Sequence, residues 1–119
     1  IILDEPTIGQ DHQQKEKLRQ FIVQMNAQGK TVVIVTHDVE FVAECNPRVM
    51  LMNEGKVIAD GEAKKILTNT ELLAQASIVP PQVTQIFLGL ADLGFPTDLI
   101  DVSEARKVLL DYLGGKTKL

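Results

Sequence analysis

The 119-residue chain has the length of one compact domain. Hydrophobic residues make up 45% of it and charged residues 24%, the balance of an ordinary globular protein. Its formal net charge of −4 argues against a nucleic-acid-binding surface, and no apolar run reaches the ~20 residues that cross a bilayer, so any membrane association has to come through a partner protein.

Ile1-Ile2-Leu3 reads as the tail of a buried strand, followed by a polar turn. Residues 12–28 then carry Leu18, Phe21, Ile22 and Met25 at three- and four-residue steps, which predicts a helix with one buried face. Asp11 is its expected cap and Gly29 its stop. Residues 31–35, Thr-Val-Val-Ile-Val, are β-branched throughout and do not alternate, the pattern of a strand covered on both faces in a parallel sheet. Strand, helix and strand together make one βαβ unit.

A short helix is expected over 38–44, ended by Asn46-Pro47. Residues 48–52 and 56–59 flank Asn53-Glu54-Gly55 and read as a β-hairpin whose glycine takes the left-handed backbone angle. Short helices are expected over 61–67 and 71–76. Residues 77–81 end in Pro80-Pro81 and read as a connector, because prolines remove donors and keep Val79 extended. Two further helices are expected over 82–93 and 103–113, the second capped by Ser103. Their apolar stripes are Ile86, Phe87, Leu90 and Leu93 in one, and Ala105, Val108, Leu109 and Tyr112 in the other. The tail 114–119 is expected to fray.

The single Cys45 has no partner for an internal disulfide, which fits a reducing compartment, and it reads as a small apolar residue. One Cys and two separated His residues give no zinc-ligand spacing, and His12 reads as solvated. No G-x-S-x-G arrangement occurs. Lys116-Thr117 matches the end of a phosphate loop, but the glycine four residues earlier is missing and no helix follows.

Asp4 and Glu5 stand where an apolar strand ends, the usual place of ligand sites in open α/β folds. By themselves they read first as a solvated acidic turn or a capping pair, and only the neighbouring residues favour a site. As a site, two adjacent carboxylates at a buried strand end repel each other, and a bound Mg²⁺ would offset that repulsion. His37 follows Thr36 at the end of the second apolar strand, so it lands beside Asp4 and Glu5 if the two strands are neighbours. Imidazole there can donate from one nitrogen while a partner fixes its tautomer.

Ile1-Ile2-Leu3-Asp4-Glu5-Pro6-Thr7 and Thr36-His37-Asp38 together resemble the carboxyl half of an ATP-binding-cassette (ABC) ATPase, the motor subunit of ABC transporters. The resemblance covers residues 1–73, including the run from Arg48 to Gly61 that regularly follows the family's switch histidine. It implies an α/β fold: part of a P-loop-NTPase-like parallel sheet, a β-hairpin and a carboxyl-terminal helical extension. Residues 1–76 would belong to the ATPase domain, 77–81 to a linker and 82–119 to the extension.

The same resemblance implies ATP and Mg²⁺ as ligands. The residue matching Asp4 holds Mg²⁺, usually through water, and the one matching Glu5 polarises the attacking water. His37 would be the switch histidine on the γ-phosphate. Asp11 falls at the D-loop aspartate, which crosses the dimer interface near the nucleotide; Gln10 and His12 stand where the family usually has Leu and Pro. Val79-Pro80-Pro81-Gln82-Val83-Thr84-Gln85 resembles the extension of energy-coupling-factor ATPases, which drive uptake of cobalt, nickel or vitamins. The implied partners are a second ABC ATPase subunit and a transmembrane transporter subunit, with the ATPase on the cytoplasmic face of the membrane.

No phosphate loop of the form G-x-x-x-x-G-K-S/T, Q-loop or Leu-Ser-Gly-Gly-Gln-type signature occurs in the chain. Nucleotide affinity rests largely on such amides and their Lys. The chain is therefore expected to be part of a longer ATPase, inactive by itself, with an exposed sheet edge that favours self-association. Two other readings stay open: a soluble ABC-type ATPase, and a non-enzymatic dimerisation or regulatory module built on the residues after Pro81.

Overall fold

The structure is a computed structural model that describes residues 1–114. Strand β1 (Ile2–Asp4) leads through helix α1 (His12–Ala27) into strand β2 (Val33–Val35), which pairs with β1 in parallel. Ile2 lies opposite Val33 and Asp4 opposite Val35. Helix α2 (Val39–Cys45) ends at the left-handed Asn46, and strands β3 (Arg48–Asn53) and β4 (Lys56–Glu62) form an antiparallel hairpin. Helices α3 (Ala63–Leu67), α4 (Thr70–Gln75), α5 (Gln82–Gly89) and α6 (Val102–Gly114) follow. The result is an α/β fold with a small parallel sheet, a hairpin and carboxyl-terminal helices.

Local signals place most of these elements. Asp11 caps α1 in a reciprocal box: its carboxylate accepts from the Gln14 N–H at 2.8 Å, while the Gln14 side chain accepts from the Asp11 N–H at 3.0 Å. Gly29, at φ 85°, closes the helix as expected. The hairpin turns on Glu54 and Gly55, both at positive φ, so the glutamate shares the left-handed angle expected of the glycine alone.

The main core joins Ala43 of α2, Leu51 of β3, Ala63, Ile66 and Leu67 of α3, and Leu73 of α4. Ile100, far along the chain, belongs to the same cluster. A second cluster gathers Phe87, Leu99 and Ala105, with Phe95 edge-on to Phe87 at 5.7 Å between ring centroids. Thr84, wholly buried, satisfies its hydroxyl by donating to the Leu99 carbonyl at 2.7 Å. The carboxyl-terminal helices are tied back to the rest by the Gln82 N–H on Glu40 and by the Lys64–Glu104 ion pair.

Several expectations need correction. The strand over residues 31–35 is shorter and is not covered on both faces: Val33 is 48% exposed, Val35 54% and Ile2 77%. No residue of α1 is buried, and Leu18, Ile22 and Met25 are only half covered. Apolar composition records what a segment can bury; coverage depends on what packs against it. Residues 82–93 are broken after Gly89, a poor helix former, into α5 and a 3₁₀ turn (Ala91–Leu93). Ile86 and Leu93 stay exposed, so of that stripe only Phe87 is buried.

Helix α6 begins one residue before Ser103. The side chain that accepts from its first turn is Asp101, from the Glu104 N–H at 2.8 Å, and Ser103 already lies inside the helix. Gly61 and Glu62 continue β4 instead of opening α3, because they pair with Val49 and Arg48. Gly114 ends α6; the rest of the tail and Lys116-Thr117 lie outside the described residues. Cys45 is half-buried, and burial pushes its thiol up to about 11, so it stays protonated near neutral pH.

Candidate functional site

Two turns at the carboxyl ends of the parallel strands make the site. The ladder continues one step past Asp4, where the Glu5 N–H donates to the Val35 carbonyl at 2.7 Å. Glu5 itself takes φ 46°, a left-handed angle that costs a non-glycine residue about 1 kcal/mol or more. The chain then turns through the Ile8 N–H on the Glu5 carbonyl and the Gln10 N–H on the Thr7 carbonyl, with Gly9 also at positive φ.

The second turn, Thr36-His37-Asp38, leaves β2 directly opposite. His37 Nδ1 lies 2.6 Å from Glu5 Oε1, and the Thr36 hydroxyl donates to Glu5 Oε2 at 3.3 Å. An ionised carboxylate only accepts, so Nδ1 carries the proton of this contact. Nε2 is then the outward nitrogen: it accepts from a donor when the ring is neutral and donates to an anion when the ring is protonated. The His37 side chain is 88% exposed and that of Glu5 26%, so the imidazole stands outward on a carboxylate that is largely covered.

Asp38 holds the junction. Its Oδ1 accepts from the Phe41 N–H at 3.0 Å, and its Oδ2 accepts from the Thr7 hydroxyl at 2.9 Å and from Lys15 at 3.0 Å. Burial pushes the Asp38 carboxyl up, but the Phe41 N–H, Lys15 and Thr7 together outweigh it and hold the group below its ordinary range.

The structure thus joins Glu5 and His37. Asp4, at the end of β1, is exposed and its side chain makes no hydrogen bond or ion pair among the described residues. Asp11 is spent on the helix cap and does not touch the Glu5–His37 pair. Thr7, Lys15, Thr36 and Asp38 escaped the reading of single motifs. Asp38 adjoins His37 and Thr7 lies two residues after Glu5, but nothing local says that they bond across 31 residues.

Among the described residues no group of three or more His, Cys, Asp or Glu side chains could hold a metal by itself. A lone exposed carboxylate at a strand end does fit Mg²⁺, which keeps several waters and takes one or two carboxylates beside phosphate oxygens. No helix of the described residues is long and apolar enough to cross a membrane.

No family model matches the chain. Curated relatives do. An ABC transporter ATP-binding protein of Methanosarcina mazei is 38% identical over 110 residues, 92% of this chain and 19% of its own length. The energy-coupling factor transporter ATP-binding protein EcfA of Methanothermobacter thermautotrophicus is 34% identical over 116 residues, 97% of this chain and 37% of its own. EcfA of Carboxydothermus hydrogenoformans is 35% identical over 114 residues, 95% of this chain and 41% of its own. The chain therefore spans between a fifth and two-fifths of the length of these relatives.

Proposed function

We propose that this chain, a homologue of ABC transporter ATP-binding proteins along nearly its whole length, supplies the water-activating part of an ATP-hydrolysing site that drives transport across a membrane. The observation that carries this reading is the 2.6 Å contact between Glu5 and His37, made by turns that leave adjacent parallel strands. A carboxylate fixed by His37 and Thr36 retains lone pairs for a water, and an outward imidazole reaches an anion beside it.

In this reading Glu5 orients and polarises the attacking water, and His37 contacts the γ-phosphate through Nε2. Asp4 would hold Mg²⁺ through water; when bound, the ion neutralises charge on the phosphates. Asp11, on the exposed turn before α1, faces a second ATPase subunit near the nucleotide. The phosphate-cradling amides and Lys come from segments that the 119 residues do not contain, so the chain by itself does not turn over ATP.

The finer assignment is to the energy-coupling-factor type. It is supported by the Val79-Pro80-Pro81-Gln82 run and by relatives named EcfA. The whole protein would then work as a dimer against a transmembrane subunit, on the cytoplasmic face of the membrane, in uptake of cobalt, nickel or a vitamin. Glu5→Gln in the full-length protein tests the core of this reading. Turnover should fall by about 10² or more while ATP is still bound. Hydrolysis at the wild-type rate in that variant would overturn it.

A further inference from the structure

Thr7 is the only buried residue among the first 40, and it is polar. Its hydroxyl goes to Asp38, which immediately follows His37. We propose that Asp38 is a positioning residue: with Thr7 and Lys15 it clamps the His37 turn onto the Glu5 turn and so sets the distance between those two groups. The proposal rests on the reading of Glu5 and His37 given above.

Asp38 is also the cap of α2, and capping alone could explain an Asp there. Capping uses only Oδ1, on the Phe41 N–H. The other oxygen, Oδ2, is filled by two donors from elsewhere in the fold: Thr7, beyond β1, and Lys15, one turn inside α1. The Asp38 N–H in turn donates to the Thr36 hydroxyl at 3.0 Å, and that hydroxyl donates to Glu5. Glu5, Thr36, Asp38 and Thr7 thus close a ring of contacts around both turns. Hydrogen bonds to a charged acceptor are the strong kind, and a part-buried carboxylate keeps them short.

The β1–β2 ladder, which ends with the Glu5 N–H on the Val35 carbonyl, fixes where the two turns start but not the path of the His37 turn beyond it. Every buried apolar side chain among the described residues lies at position 41 or beyond, so apolar packing does not set the Glu5–His37 spacing. A displacement of ~1 Å in a reacting pair can cost on the order of a hundredfold in rate.

The test is steady-state ATP hydrolysis by the full-length protein. Asp38→Ser keeps a capping hydroxyl for Phe41 but cannot reach Thr7 and Lys15; Thr7→Val keeps the shape and removes the donor. Each should lower kcat about tenfold or more with KM for ATP nearly unchanged in a protein that still folds, and Thr7→Ser should restore kcat. Lys15→Met, a change at a half-exposed side chain, covers the case in which the first two fail to fold; its expected loss in kcat is about threefold. Wild-type kcat in the folded clamp variants, with Glu5→Gln inactive, overturns the clamp and leaves the site reading standing. Wild-type turnover in Glu5→Gln overturns both. A loss in kcat that Thr7→Ser does not restore also counts against the clamp.

Discussion

Residues 1–40 and the remainder of the chain are built by different forces. In the first region the one buried side chain is a threonine, and the strands leave Ile2, Val33 and Val35 open to solvent. The second region carries all the buried apolar side chains of the described residues, most of them in two clusters around Leu73 and Phe87. The candidate site sits on the first region. Its geometry is held by directional contacts between charged and polar groups, while the hydrophobic clusters anchor the elements that follow.

That contrast can be broken by substitution. Leu73→Ala, at a fully buried position, should cost about 2–5 kcal/mol of stability, read as a drop in the thermal or denaturant midpoint. Phe21→Ala, on the half-covered helix of the first region, should cost clearly less. Equal losses would mean that α1 is packed more tightly than its exposure indicates. Thr84→Val should come next, at about 1–3 kcal/mol, because it leaves the Leu99 carbonyl buried without its donor.

Acid sharpens the comparison from the other side. The folded Asp38 carboxyl titrates below its ordinary 3.8, so its stabilising contribution is full above that value and is lost as the pH falls through the depressed one. The midpoint difference between wild type and Asp38→Ser should therefore be constant from about pH 5 upward and shrink below 3.8. A difference that grows on acidification would reverse the sign and sink the assignment. The smallest effect on stability belongs to Val33→Thr with Val35→Thr, within about 0.5 kcal/mol, since neither side chain is buried. Light scattering should instead show less self-association of the chain.

Much of the local structure was legible in the residues. Asp11, Gly29 and Gly55 each act within a few positions of themselves, through hydrogen bonds and backbone angles that any chain with those residues can form. The acidic pair at one strand end and the histidine at another were equally readable, because runs of β-branched residues announce strands. Where local rules compete the reading slipped: Ser103 reads as a cap, but the side chain that accepts from the first turn of α6 is Asp101, two residues earlier.

By itself the sequence determined the order of the strands and main helices and the residues that end the two parallel strands. The tertiary structure decided which of those ends meet: Glu5 on His37, Thr7 on Asp38, and Ile100 in a core begun nearly half the chain earlier. The physical reason is range. Capping and turn chemistry act over three or four residues, whereas the register of two parallel strands and the covering of a face depend on segments that periodicity does not bring together.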